Sequence, residues 1–323
     1  MLDILHYDLL DFVTSYGVRI PSLRVTYQLF GKPLGTAPVV VVNHAFTGNS
    51  QVAGENGWWA EAIGAAKVIN TDTYTVVAFN IPGNGFHARE EDMITNYQHW
   101  AAVDVARLFN IALKEHLGLN SVFALVGCSL GGGIAWEMAA LAPDYFQQLV
   151  IVAADWKATD WIIGNCLLQE QILKNSTHPL HDARLHAMLC YRTPQSLKMK
   201  FERTTHLPTQ LYNVESWLLH HGEKLNKRFS LSAYKLMNQL VKTIDISKDR
   251  GSFAEAVAPI TAHITIVSTD SDLYFVPQEN RDTVAELREM GKPVDYYEIY
   301  SIHGHDAFLI EHKQLEQFLK KIF

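Results

Sequence analysis

The sequence predicts an α/β fold in which a mostly parallel sheet is flanked by helices, with an inserted helical lid. Short apolar runs, typical of strands buried on both faces, alternate with helix-like stretches up to about residue 155. The strand pattern then disappears between about 156 and 253, where helical periods dominate, and two further strand-like runs follow. This order indicates a sheet covered on both faces and interrupted by a helical insertion.

The individual elements follow from local patterns along the chain. The predicted strands are 39–42, 75–79, 122–126, 149–152, 264–267 and 294–299, and the predicted helices cover 100–117, 134–141, 214–221, 231–244 and 307–323. Pro143 is expected to end the second of these helices, because proline cannot continue a helix. We therefore place the α/β core at 1–155 and 259–323 and the helical lid at 156–258.

Composition limits the function classes. The 323 residues carry a net charge of −7, and 48% of them are hydrophobic and 19% charged. These values are ordinary for a folded protein and exclude disorder as the main interpretation. Because there is no excess of basic residues to neutralise phosphates, we expect no nucleic-acid partner.

Cysteine usage and hydropathy indicate a cytoplasmic protein. Cys128, Cys166 and Cys190 have no CxxC spacing and are expected to be reduced thiols. The first residues lack the cationic start and the cleavage site of a signal peptide. No apolar run approaches the roughly 20 residues that span a bilayer, so no membrane association is expected.

The most informative motif is Gly-Cys-Ser-Leu-Gly at positions 127–131, between a predicted strand and a predicted helix. It matches G-x-S-x-G, in which a sharp strand-to-helix turn holds the serine in a strained backbone conformation. Glycines are needed there because side chains would clash across the turn. The hydroxyl of Ser129 would be exposed at a helix N-terminus, where the helix dipole favours developing negative charge. The motif therefore predicts that Ser129 is a nucleophile.

A serine nucleophile needs a base that is itself oriented by an acid. After this motif the partners come in the order Asp or Glu, then His. Asp272 and His305 satisfy that order, and each follows one of the last two predicted strands. Loops at the carboxyl ends of parallel strands lie at one edge of the sheet, so these side chains are expected to converge on Ser129. Asp270 and His303 remain alternatives, since the pattern alone does not exclude them.

Acyl transfer through a serine also needs backbone N–H groups that bind the oxyanion. One is expected from Leu130, directly after the nucleophile. The other is expected from the loop 43–48, and Phe46 is the predicted donor. His44 in the same loop is interpreted as a structural residue rather than a second base.

Other motifs have less specific signals. The cluster His-Gly-His-Asp at 303–306 lacks a further histidine, so no metal is expected. The run Gly-Asn-Gly-Phe-His-Ala at 83–88 follows a proline and precedes a charged stretch, which indicates a loop near the active site rather than a dinucleotide site. No phosphate-binding G-x-x-x-x-G-K-[ST] motif occurs. Cys128, the histidine pair 220–221 and the tryptophan pair 58–59 are interpreted as packing or surface residues.

Several longer motifs resemble the homoserine O-acetyltransferase family, a branch of the α/β-hydrolase fold. The resemblance covers nearly the whole chain. In the core it lies in Asn-His-Ala-Phe-Thr-Gly at 43–48, in 127–132, in Ser-Asp-Leu-Tyr-Phe-Val-Pro at 271–277 and in Gly-His-Asp-Ala-Phe-Leu at 304–309. In the insertion it lies in Ala-Arg at 183–184, Tyr-Arg-Thr at 191–193, Lys-Phe-Glu-Arg at 200–203, Val-Glu-Ser-Trp at 214–217, Arg-Phe-Ser at 228–230 and Ser-Ala-Tyr at 232–234.

The resemblance implies transfer of an acetyl group from acetyl-CoA, as a co-substrate, to the hydroxyl of L-homoserine in methionine biosynthesis. It implies Ser129 as the acylated nucleophile, His305 as the base and Asp272 as its orienting acid. Phe46 and Leu130 would supply the oxyanion N–H groups. The resemblance further implies a homodimer.

The same resemblance assigns the acceptor site. Arg184 and Tyr191 would bind the substrate carboxylate, and Asp306 would bind its amine. The loop 80–86 is shorter than the corresponding family loop, which leaves an ester hydrolase acting on a small ester as the alternative prediction. The acyl group, acetyl or succinyl, and the acceptor, homoserine, serine or water, also stay open.

Overall fold

The computed structural model describes residues 3–208 and 210–323. Its main sheet contains β1 (Leu5–Val13), β2 (Arg19–Gly31), β3 (Val39–Asn43), β4 (Thr75–Phe79), β5 (Val122–Cys128), β6 (Phe146–Val152), β7 (His263–Thr269) and β8 (Val294–Ile299). The strand order is β1-β2-β4-β3-β5-β6-β7-β8. The strands β3 to β8 run parallel, and the antiparallel hairpin β1–β2 joins the sheet through an antiparallel pairing of β2 with β4.

All six predicted strands are confirmed, and the apolar runs of β3 and β4 are buried on both faces of the sheet. Every residue of β3 and β4 is buried. Val39 and Val41 contribute to the hydrophobic core on one face, whereas Val40 and Val42 contribute to the core on the other. Side chains alternate across a strand, so a continuous apolar run is the pattern that two covered faces require.

The hairpin β1–β2 was not predicted from the sequence. Most residues of β1 are exposed or half-buried, and its apolar residues are interleaved with charged ones. Two of its carboxylates, Asp8 and Asp11, pair with Arg24 and Arg19 across the hairpin. A strand with one solvated face and irregular alternation has a weak hydropathy signal.

The helices are α1 (Ala102–Ile111), α2 (Leu130–Leu141), α3 (Asp160–Asn175), α4 (Pro179–Tyr191), α5 (Pro194–Phe201), α6 (Asn213–Arg228), α7 (Leu231–Lys242), α8 (Phe253–Val257), α9 (Pro277–Glu289) and α10 (His312–Leu319). The expected continuous helix over 307–323 is wrong: a 3-10 segment, Gly304–Leu309, precedes α10. The tight 3-10 turn holds His305 in a buried position at the end of the sheet. None of the helices in the described ranges is both long and apolar enough to cross a membrane.

The predicted lid interval contains α3 to α8. The first five of these helices pack on one another, with α4 against α6 and α3 against both α4 and α7. The short helix α8 differs, because Phe253 packs against Trp136 of α2 and against Trp156. The end of the interval therefore contacts the core beneath the nucleophile-bearing helix, and α3 to α7 cover the carboxyl edge of the sheet.

Candidate active site

The turn between β5 and α2 places Ser129 in a strained conformation, with φ of 52° and ψ of −124°. Space around the turn is minimal. A Cβ on Gly127 would lie 2.2 Å from the carbonyl oxygen of Gly131, and a Cβ on Gly131 would lie 2.4 Å from that of Asn43. Only glycine fits at these two positions, so the glycines of the motif are required by close backbone approach. The predicted elbow is thus present, with Ser129 at the N-terminus of α2.

Two loops at the carboxyl edge of the sheet bring an acid and a base to this serine. Nε2 of His305 lies 2.9 Å from Oγ of Ser129, and Nδ1 of His305 lies 2.7 Å from Oδ2 of Asp272. All three side chains are buried. Asp272 is held in turn, since its other oxygen, Oδ1, accepts hydrogen bonds from the backbone amides of Tyr274 and Phe275. The geometry is that of a Ser-His-Asp triad.

The structure distinguishes Asp272 from Asp270 as the acid and His305 from His303 as the base, a choice that the sequence pattern left open. Asp270 accepts a hydrogen bond from the Ser301 amide and so ties two loops together. His303 lies beside Arg192 and Ser196 of the lid. His305 is the histidine that contacts Ser129, and Asp272 is the acid that contacts His305.

Electrostatics at His305 favour its protonated form. Burial lowers the pKa of His305, but the charge and hydrogen bond of Asp272 and the charge of Asp306 outweigh burial and raise it above the ordinary value of 6.5. A base with this shift holds the proton it takes from a hydroxyl more firmly. Four aromatic rings pack around the imidazole, namely Tyr191, Tyr274, Phe275 and Phe308.

The two expected oxyanion donors are Leu130 and Phe46. Leu130 is the first residue of α2, and the first amides of a helix have no intrahelical acceptor. Phe46 lies in the loop after β3, with its ring 4.8 Å from that of Tyr234 in the lid. The loop is also fixed by Arg228 at the end of α6, which donates hydrogen bonds to the carbonyl and hydroxyl of Thr47.

His44 has the structural role expected of it. Its Nδ1 lies 2.7 Å from the carbonyl oxygen of Ala45, and its Nε2 accepts a hydrogen bond from the amide of Ile81. Asn84, in the loop after β4, also lies 3.3 Å from Nε2. Burial lowers the pKa of His44 to about 4, so the ring is neutral and holds the two loops together.

The residues assigned to the acceptor lie at the boundary between lid and core. The guanidinium of Arg184 in α4 lies 5.8 Å from the ring centroid of Tyr191 and forms no ion pair within the described part of the chain. Burial raises the pKa of Asp306, whereas the positive charges of His305, Arg184 and Arg192 lower it. Arg184 and Asp306 therefore influence one another without pairing. A small cavity lined by Phe46, Tyr191 and further lid residues lies beneath the lid.

Two arginines that contact the site were not singled out as site residues from the sequence. Arg192 contacts the loop that carries His305, and Arg228 contacts the loop that carries Phe46. Both belong to lid motifs that resemble the homoserine O-acetyltransferase family, and this resemblance is the sequence signal that could have identified them. Their contacts depend on where the lid packs onto the core, which no local sequence pattern predicts.

The remaining candidates have packing roles. Cys128 is buried, and burial raises the pKa of its thiol well above the usual value. His221 packs against Trp217, and Trp59 is fully buried beside Trp58. Among the described residues, no group of three or more His, Cys, Asp or Glu side chains could hold a metal ion.

Comparison with known proteins agrees with this architecture. The family model described as alpha/beta hydrolase fold matches residues 38–311. The homoserine O-acetyltransferase of Chloroherpeton thalassium is 30% identical over 94% of this chain and 84% of its own length. Among solved structures, esterase E22 superposes with a TM-score of 0.88 at 17% identity, covering all of both chains. The homoserine O-acetyltransferase of Bacillus anthracis superposes with a TM-score of 0.84 at 20% identity, covering 100% of this chain and 97% of its own. The chain therefore belongs to the α/β-hydrolase-fold enzymes and, among them, to the homoserine O-acetyltransferase family of acyltransferases.

Proposed function

We propose that this enzyme transfers an acetyl group from acetyl-CoA to the hydroxyl of L-homoserine by a ping-pong mechanism. The observation that carries the proposal is that a catalytic triad and two oppositely charged side chains occur at one site. A Ser-His-Asp triad lies beside a carboxylate, Asp306, and a guanidinium, Arg184, that forms no ion pair with any described residue. The relatives named homoserine O-acetyltransferase support the same assignment.

In the first half-reaction, Oγ of Ser129 attacks the thioester carbon while His305 takes its proton. The oxyanion that forms accepts hydrogen bonds from the amides of Phe46 and Leu130, each worth on the order of 10²–10³ in rate. The tetrahedral intermediate then collapses, the carbon–sulfur bond breaks, and CoA leaves as a thiol with the proton from His305. Ser129 remains acetylated.

In the second half-reaction, the acceptor hydroxyl attacks the acetyl-serine. His305 removes the hydroxyl proton, the oxyanion forms again at the same amides, and the proton returns to Ser129 as it leaves. The product is O-acetylhomoserine, which places the enzyme in methionine biosynthesis. The scheme needs no metal or bound cofactor, because acetyl-CoA is consumed as a co-substrate.

Recognition of the acceptor uses opposite charges at its two ends. A guanidinium fork binds a carboxylate through two parallel hydrogen bonds, so Arg184, with Tyr191 beside it, would bind the carboxylate of the acceptor. A carboxylate next to the base can pair with an ammonium group, so Asp306 would bind the amine of the acceptor. Transfer rather than hydrolysis requires that water be excluded from the acyl-enzyme, and the lid helices over the sheet edge support that requirement.

We further propose that the enzyme is a cytoplasmic homodimer. The cytoplasmic assignment is supported by its free cysteines, two of which are buried. A dimer is supported by large apolar side chains that α3 and α4 expose, namely Trp161, Leu167, Leu168 and Leu189. If this surface is the interface, Leu168→Glu should convert a dimer into a monomer in light scattering after size-exclusion chromatography.

The function is tested by CoA release from acetyl-CoA, detected with a thiol-reactive dye, with and without L-homoserine. Release that depends on L-homoserine and is absent from Ser129→Ala supports the proposal. Parallel reactions with succinyl-CoA and with L-serine identify the acyl group and the acceptor. Release that is indifferent to any amino acid, together with rapid cleavage of an aryl ester, would instead make the protein an ester hydrolase.

A further inference from the structure

Arg192 occupies the junction between α4 and α5, where the lid touches the loop that carries His305. Three contacts join this junction of the lid to the loop that carries His305. The hydroxyl of Thr193 donates a hydrogen bond to the carbonyl of Ile302, and the carbonyl of Tyr191 lies against Gly304, leaving no room for a side chain there. The third contact is Arg192 itself, whose side chain is only 11% exposed.

The guanidinium of Arg192 is engaged on two sides. Nη2 lies 2.6 Å from the hydroxyl of Ser196 and 2.9 Å from Nδ1 of His303. Burial and the charge of Arg192 lower the pKa of His303, which keeps that ring neutral and able to accept the hydrogen bond. Nη1 lies on the other side, 3.8 Å from Oδ2 of Asp306. Arg192 is thus fixed in orientation before any substrate binds.

The carboxylate of Asp306 is partly buried but has few partners within the described residues. Its side chain is 23% exposed, and Arg192 is its one ion pair in the described ranges of the chain. A distance of 3.8 Å is too long for a hydrogen bond, so both carboxylate oxygens still have lone pairs available to a ligand. Arg184 also lies at this boundary, forms no ion pair in the described part of the chain, and acts on Asp306 through its charge.

Two opposite charges that share a partly buried space attract strongly, because the surrounding dielectric constant is low. A pair between Asp306 and Arg184 would consume both groups that recognise a zwitterionic acceptor. Arg192, whose guanidinium is held by Ser196 and His303, is the cation that lies beside Asp306 instead.

We propose that Arg192 is a positioning residue for acceptor recognition, which holds Asp306 apart from Arg184 so that the site presents one negative and one positive pole. This inference rests on the proposed function, because it concerns an acceptor with an amine and a carboxylate. Arg192 acts through Asp306 and does not contact the substrate. Ser196 and His303 support this role indirectly, because they fix the guanidinium of Arg192.

The test compares three acceptors in the CoA-release assay. L-homoserine has both charged groups, 4-hydroxybutyrate lacks the amine, and 3-aminopropan-1-ol lacks the carboxylate. In Arg192→Gln, the preference in kcat/KM for L-homoserine over each analogue should fall by about tenfold, the loss typical of a hydrogen bond to a charged group. Acylation of Ser129 by p-nitrophenyl acetate, which needs no acceptor, should change less than about twofold.

The matched control is Arg203→Gln, which removes an exposed lid arginine that lies over the ring of Tyr212. It should leave all preferences unchanged. If Arg192→Gln fails to fold, Ser196→Ala provides the test, because it frees the guanidinium without removing its charge and should lower the same preferences in part. A fall in kcat/KM by one common factor for all three acceptors would overturn the proposal and leave Arg192 a structural residue. A wild-type enzyme that ignores L-homoserine would instead overturn the proposed function.

Discussion

Nε2 of His305 lies 2.9 Å from Oγ of Ser129, although 176 positions separate the two residues in the chain. The fold brings the two residues together, because β5 and β8 lie in one parallel sheet and each residue follows the carboxyl end of one of these strands. The lid is inserted between them in sequence and lies above them in space. Nucleophile and base are therefore fixed by the core, whereas acceptor recognition depends on where the lid packs.

Ser129→Ala should abolish acyl transfer and leave the fold intact. The residue at 129 keeps the same backbone strain in both proteins, and the hydroxyl that is lost serves the chemistry. Intact-protein mass spectrometry after incubation with acetyl-CoA should show one acetyl adduct on the wild type and none on the variant. Cys128→Ala is the matched control, since its buried thiol is adjacent in sequence and should not affect acetylation. An adduct that persists in Ser129→Ala would identify another nucleophile.

Two glycine-to-alanine substitutions should have opposite effects on stability. In Gly131→Ala the new methyl would meet the backbone of Asn43, which cannot move without shifting β3, so we expect a loss of about 1–3 kcal/mol in the free energy of unfolding. Gly164 lies within α3 with open space where a Cβ would stand, so Gly164→Ala should be neutral or stabilising by up to about 1 kcal/mol. Denaturant titration of both variants measures these changes. Equal stability of the two variants would show that the elbow tolerates a side chain.

The sequence was sufficient to predict the parts of the fold that depend on local hydropathy. The strands β3 and β4 are almost entirely apolar and buried throughout, as strands covered on both faces of the sheet have to be. The hairpin β1–β2 was missed because one face is solvated and its charges pair across the strands.

For the site, the order of motifs located the loops but not the individual side chains. Asp270 and Asp272 are two positions apart, and the choice between them depends on which one the turn after β7 directs towards His305. Arg192 and Arg228 were not recognised because their partners, Asp306 and Thr47, are more than 100 residues away in sequence. Contacts of this kind follow from tertiary packing of the lid and have no local sequence signature.

Arg184→Gln should weaken binding of the acceptor through its carboxylate end. The guanidinium forms no ion pair within residues 3–208 and 210–323 and is therefore available to a substrate carboxylate. We expect kcat/KM for L-homoserine to fall about 10- to 100-fold, mainly through KM, because hydrogen bonds to charged groups are lost. The rate with 3-aminopropan-1-ol, which has no carboxylate, should stay within about threefold. Arg184→Lys should recover part of the loss, since it keeps the charge but not the fork; a full loss with both acceptors would indicate a structural defect.

The pH dependence of acylation should report the charge of His305. Only the neutral imidazole can take the proton of Ser129, so the rate should rise with pH through the pKa of His305. Burial lowers the pKa of His305, but the charge and hydrogen bond of Asp272 and the charge of Asp306 together raise it, so the midpoint of the acidic limb should lie above 6.5. The charge of Asp306 contributes in the same direction, so Asp306→Asn should move the midpoint to lower pH. Stopped-flow acylation with p-nitrophenyl acetate measures the limb without an acceptor amine, and Asp270→Asn is the matched control because Asp270 has no contact with His305. A midpoint that stays in place in Asp306→Asn would show that this carboxylate does not act on the base.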